Sequence, residues 1–172
     1  YDAVGTVIAC AGRRQDGELQ NGVALSYTDN NDGTITDNRT GLMWEKLSDD
    51  GSLHDKDTTY TWANAFAVKM AGLNGSGGFA GHTDWRVPNV DELQSLVSYG
   101  AVNPSVNAAF NTGCTGGCTV ATCSCTLSNY YWSATTYQDE PSGAWNVYFY
   151  DGGLVGGHKS NGDSVRGVRG GS

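Results

Sequence analysis

From Trp145 to Tyr150 the side chains alternate. Trp145, Val147 and Phe149 fall on one face of an extended segment, and Asn146, Tyr148 and Tyr150 on the other. The first set is apolar and predicts a core-facing side. The second is amphipathic and suits contact with a partner, because tyrosine offers large area at low entropic cost. A run of small and polar residues follows, 151–164, carrying Asp151, His158, Asn161, Asp163 and Ser164, before Val165 and Val168 resume an apolar pattern. An ordinary surface meander has the same pattern, since tyrosine is a good strand former.

Upstream, Thr6-Val7-Ile8-Ala9 reads as a short strand. Asn31-Asp32-Gly33 is a hairpin signal between Tyr27-Thr28 and Thr34-Ile35-Thr36. A second turn at Asn38–Gly41 leads into Leu42-Met43-Trp44-Glu45. An EF-hand loop placed on Gly33 would have Thr28 first and Arg39 last, where a bidentate Glu belongs, so these are turns and no metal is expected. Thr61 predicts a helix cap, with Trp62, Ala65, Phe66 and Met70 spaced for one buried face and Gly72 as the stop. Asn89, with Glu92 three residues on, predicts a capping box, and Leu93, Leu96 and Val97 then face the core. Asp91 and Glu92 suit a helix N-terminus better than a catalytic carboxylate pair. The order is strands, two helices, a long loop and strands again. It predicts an α+β fold, with helices flanking an antiparallel sheet in one domain spanning residues 1–172.

Cysteine usage adds a constraint. Four of the five cysteines, Cys114, Cys118, Cys123 and Cys125, sit in GCTGGCTVATCSC, while Cys10 stands apart. The stretch lacks His, acidic residues and paired C-x-x-C spacing, so disulfides in a surface loop are favoured over zinc. Their connectivity is open, and Cys10 is the odd thiol. Disulfides imply export. No apolar run reaches membrane-span length, no leader is present, and the start at Tyr1 reads as a mature or trimmed piece. The formal net charge of −8 argues against nucleic acid and anionic polysaccharide as partners.

Several blocks together carry a family resemblance: TDNNDGTITDNRTGLMWEK, TDWRVPNVDELQSLV, YYWSATTY, AWNVYF and VRGVRGG, in this order. They resemble the DUF1566 family, an exported bacterial domain family related to the C-terminal domain of the Legionella collagen-like adhesin. The resemblance implies a C-type lectin-like fold: two helices around a small twisted antiparallel sheet, with paired N- and C-terminal strands. Relatives often carry a cysteine where Gly167 stands here, and another just before the position of Tyr1. Glu140-Pro141-Ser142 and Trp145-Asn146-Val147 only loosely echo the calcium-dependent sugar-binding motifs of animal lectins. No calcium site and no cofactor are implied, and an affinity for sulfated polysaccharide transfers poorly to an acidic chain.

The same family includes scaffolds diversified by retroelements that mutate template adenines. Asn codons altered in this way yield Tyr, Asp, Ser, Gly and His. In the region 129–169, Tyr148, Tyr150, Asp151, Gly156, Gly157, His158, Gly162, Asp163 and Ser164 are such types, with Asn146 and Asn161 as unmutated survivors. The implied function is ligand binding by Asn129, Asn146, Tyr148, Tyr150, Asp151, His158, Asn161, Asp163 and Ser164, with Tyr137 nearby. The implied partner is a protein or glycan on another cell or host surface, and homo-oligomers stay open. A fixed-specificity adhesin module is the alternative. Catalysis is not expected: a copper-binding cysteine pair of the formylglycine-generating type is missing, since no cysteine follows Cys125. His54, His82 and His158 form no hydrolase-like group in sequence.

Overall fold

A computed structural model describes residues 4–9, 11, 12, 14, 19 and 23–170. Cys10 lies outside the described residues. The architecture is mixed, with two antiparallel sheets and few helices. The first sheet has the order β1 (Tyr27–Asp29), β2 (Thr34–Asp37), β3 (Met43–Glu45), β7 (Val168–Arg169). The second has the order β4 (Tyr130–Thr136), β5 (Gly143–Tyr148), β6 (Gly153–His158).

Both local turn signals form. Gly33 takes φ 94°, a backbone state that glycine adopts without strain, and closes the β1–β2 hairpin. The Asn38–Gly41 turn returns the chain into β3, with Asp37 Oδ1 accepting from the Arg39 backbone N–H at 2.9 Å. The pairing of the termini differs from expectation. Residues 6–9 form no strand, and β7 pairs with β3, leaving β1 at the far edge.

The first helix is one continuous run of three parts: α1 (Trp62–Asn64), a π-helical segment (Ala65–Met70) and α2 (Ala71–Asn74). Thr61 caps it as expected, its side chain accepting from the Asn64 backbone N–H at 3.4 Å. The buried face is the expected one at Ala65 and Met70, with Trp62 half-buried, and departs from it at Phe66. Ala65, Lys69, Met70 and Leu73 are buried while Phe66 is 37% exposed, and the helix continues past Gly72. Gly72 instead sits against Leu53, whose Cδ2 would lie 2.8 Å from an added Cβ. The second predicted helix, α3 (Val90–Gln94), starts with the full capping box. Asn89 Oδ1 accepts from the Glu92 N–H and Glu92 Oε2 from the Asn89 N–H, both at 2.8 Å. Arg86 holds the same Glu92 carboxylate bidentately at 2.7 and 2.6 Å.

Two cores result. One gathers Ile35, Trp44, Leu93, Leu96, Phe110, Tyr131, Val147 and Phe149. The other gathers Ala65, Met70, Leu73, Trp85, Trp132, Ala144 and Val165. Adjacent residues Tyr131 and Trp132 enter opposite cores, so β4 runs between them and both faces of the second sheet are covered at this level. The cysteines pair as Cys114–Cys125 and, nested inside, Cys118–Cys123. The loop is at the surface as expected, with Cys114 and most of residues 113–122 exposed, while Cys118, Cys123 and Cys125 turn inward as buried members of the first core.

Candidate functional site

Alternation in β5 holds for most of its length. Val147 and Phe149 are buried at 0% and 1% exposure, and Tyr150 is 44% exposed with Tyr148 half-buried. Two positions depart from the expected pattern. Trp145 is only half-buried, and Asn146, expected outward, is 1% exposed. The reason is that the segment 163–165 pairs along the edge of β4, with Ser164 bridging to Tyr131, and its Asp163 and Val165 side chains cover the face that carries Trp132, Ala144 and Asn146. Asn146 Nδ2 donates to Asp163 Oδ2 at 2.6 Å.

Beyond that cover the same face opens. Tyr130 pairs across from Tyr148, and their rings stack with centroids 4.4 Å apart and planes 23° apart. Tyr148 continues onto Tyr150 at 5.8 Å and 22°. Three tyrosines thus form one ladder at the rim of the sheet. Next to it is a cleft of about 180 Å³, lined by Tyr130, Asn146, Val155, Asn161, Asp163 and the Gly156–Gly157 backbone. Gly157 stands where a side chain has no room: an added Cβ would lie 2.8 Å from Asn146 Nδ2 and 3.1 Å from Trp132 Cη2.

Electrostatically the cleft is an acceptor site. Asp163 is 8% exposed, and burial pushes its carboxyl above the ordinary value, against the opposing hydrogen bond from Asn146.

The structure separates the sequence-predicted site residues into groups. Asn146, Asn161 and Asp163 meet in the cleft, and Tyr148 and Tyr150 form the adjoining ladder. Ser164 is buried, and its backbone joins β4 through Ser164 N–H to Tyr130 O at 3.0 Å. Asp151 is exposed in the β5–β6 turn, its Oδ1 accepting from the Gly153 N–H at 3.0 Å. Asn129 sits at the start of β4, where its carbonyl accepts from the Phe149 N–H at 3.0 Å. His158 is exposed, in contact with Ser160 Oγ at 2.8 Å, and strand alternation carries it to the opposite face from Asn146. Tyr137 packs on Trp145 on that opposite face, at 4.8 Å. Tyr130 and Val155 were not anticipated. Only the cross-strand register, Tyr130 with Tyr148 and Val155 with Asn146, places them there.

A family model described as the Lcl C-terminal domain matches residues 33–169. The chain belongs to this family. No curated protein sequence matches it. As an Lcl C-terminal domain the molecule is of a surface adhesin-like type, and the matched span takes in the second sheet, all of the first sheet except β1, the ladder and the cleft. The two disulfides are compatible with export of this Lcl-type domain, and no helix among the described residues is long and apolar enough to cross a membrane.

Proposed function

We propose that this domain is the ligand-recognition part of an exported adhesin-type protein, and that the tyrosine ladder and adjoining cleft are its contact surface. The observation that carries this reading is the ladder itself. Tyr130, Tyr148 and Tyr150 stack on one another at an open rim, where packing the core does not require three tyrosines. Pre-stacked rings lose little entropy on contact and are typical anchors of recognition surfaces. The partner is a protein or glycan on another cell or host surface. The arrangement of two antiparallel sheets and capped helices is in keeping with the C-type lectin-like fold implied by the family resemblance.

Diversification by a retroelement belongs to the proposal in a narrower form than the sequence suggests. Tyr148, Tyr150, Asp151, His158 and Asn161 have open side chains and are free to vary. Asn146, Gly157 and Ser164 are not, because each is enclosed by the fold. These enclosed positions favour the second reading, a module of fixed specificity. Sibling genes distinguish the two: under diversification, differences concentrate at the five open positions and spare the enclosed three. Differences scattered over the chain reject diversification. The surface itself is tested with Tyr148→Ser/Tyr150→Ser on glycan arrays and on host and bacterial cells. Binding shown by the parent is expected to fall about ten-fold or more, and unchanged binding rejects the surface.

A further inference from the structure

The Asn146 amide has one half answered and one half not. Its Nδ2 donates to Asp163, and a carboxylate accepts only, so the amide nitrogen must face Asp163 and the oxygen must point elsewhere. That oxygen, Oδ1, is buried without a hydrogen-bond partner, on a residue 1% exposed that lines the cleft. Buried acceptors are almost always paired, and an unpaired one asks what it is kept for. Beside it, Asp163 is 8% exposed, and among the described residues no Lys, Arg or His forms an ion pair with it. Tyr130 adds an aromatic wall to the same cleft.

A carboxylate without a counter-ion, an orphaned amide oxygen and an aromatic ring together describe a receptor for a cation that carries N–H donors. A hard metal ion fits less well, since calcium takes six to eight oxygens and the lining offers side-chain oxygens from Asn146, Asn161 and Asp163 besides the Tyr130 phenol. Size narrows the guest further. A cleft of about 180 Å³ is smaller than the roughly 300–1,000 Å³ of drug-sized sites, and suits the tip of one side chain. The net charge of −8 favours a basic partner.

We propose that this cleft receives the ammonium or guanidinium end of a lysine or arginine side chain presented by a partner protein, with the tyrosine ladder covering the residues on either side. The inference rests on the ladder and cleft being a recognition surface, and names the chemistry that the surface selects. Asn146 Oδ1 and Asp163 accept the N–H groups, and the Tyr130 ring borders the charged tip.

The test is an NMR titration of the ¹⁵N-labelled domain with the capped amino acids N-acetyl-lysine methylamide and N-acetyl-arginine methylamide in the millimolar range. N-acetyl-norleucine methylamide, of similar length without charge, methyl glucoside and free spermidine run in parallel. Saturable shifts at the Asn146 side-chain amide and the Gly156 and Gly157 N–H groups are expected with a capped basic residue. None is expected with norleucine or glucoside, and spermidine should bind no more tightly than the capped residues. Asp163→Asn, which keeps an acceptor for Asn146, should weaken binding at least about ten-fold. Equal shifts with norleucine or glucoside, tighter spermidine binding, unchanged binding by a folded Asp163→Asn, or no saturable shift with either basic residue each overturns the inference. The neutral-ligand arm needs no variant, so the test stands even where Asp163→Asn does not fold. Failure here is distinct from failure of the surface, because the loss of array and cell binding in Tyr148→Ser/Tyr150→Ser is read without reference to the cleft.

Discussion

Two polar clusters lie inside this small domain, and they differ in how completely their groups are answered. Around Glu45 everything is matched. Glu45 Oε1 accepts from Lys69 Nζ at 2.5 Å and meets His54 Nδ1 at 2.7 Å, while Oε2 accepts from the Gly167 N–H at 2.8 Å. Lys69 also donates to Leu53 O at 2.6 Å. Arg166 donates to the carbonyls of Glu45 and Cys125 and to Thr126 Oγ1. Burial works to raise the Glu45 pKa, but the Lys69 charge and the His54 hydrogen bond outweigh it and hold the group at about 2. Around Asp163 the balance goes the other way: burial prevails, no cation among the described residues pairs with it, and a neighbouring amide oxygen is left over. A fully matched buried network locks elements together, here β3, the first helix and the chain entering β7. An incompletely matched one at the mouth of a cleft is placed to complete itself with a guest.

The largest expected effect breaks the matched cluster. Glu45→Ala leaves Lys69 as an uncompensated buried charge and should cost about 3–5 kcal/mol in urea unfolding at neutral pH. A cost as small as that of a surface substitution would show that Glu45 is not the hub. The same cluster sets acid stability. Because the folded pKa lies below the ordinary 4.5, the contribution is fully present above about pH 4.5 and is lost as pH falls toward 2, worth about 3 kcal/mol in all. Urea midpoints measured from pH 7 to pH 2 should therefore fall mainly in that window. Next in size, Cys114→Ser/Cys125→Ser should cost about 2–4 kcal/mol, read as a lowered Tm that added reductant shifts little further than loss of the second bridge requires.

How much of this contrast was legible in the sequence depends on distance along the chain. The Asn31-Asp32-Gly33 turn and the Asn89–Glu92 capping box are local devices, and both formed as read. Val147, Phe149, Tyr148 and Tyr150 followed from alternation alone. Asn146 did not, because what buries it is Asp163, seventeen residues away and brought in by a return of the chain. Lys69 drew no reading for the same reason: a lysine in a helix reads as solvated until Glu45 is placed against it, and its burial goes with a π-helical segment in which Phe66 lies outward. The Gly- and Thr-rich cysteine stretch has a surface composition and is mostly exposed, while Cys118, Cys123 and Cys125 turn into the core that holds Leu47 and Phe110. Tyr130 was invisible as a site residue because strand register is not written in either strand alone.

The open cluster should respond differently, and by less. Gly157→Ala forces a methyl group against the Asn146 amide and the Trp132 ring, and should cost about 1–3 kcal/mol by overpacking. Tolerance without loss would mean that the cleft floor is soft. The smallest effect carries the most information. Asp163 is destabilising when ionised, since its folded pKa is raised, and the cost grows as pH rises through the carboxylate range. Asp163→Asn keeps the bond from Asn146 and removes the unanswered charge, so at pH 7 it should be neutral or stabilising by up to about 1 kcal/mol. At pH 3, where both states of the parent carboxyl are protonated, that gain should vanish. The matched cluster should lose stability on truncation, whereas the unmatched one should keep or gain stability when its charge is removed. A residue kept at some cost to the fold is better explained by what it binds than by what it holds together. A clear loss in Asp163→Asn at pH 7 would instead make Asp163 a second structural anchor like Glu45, and the contrast between the two clusters would disappear.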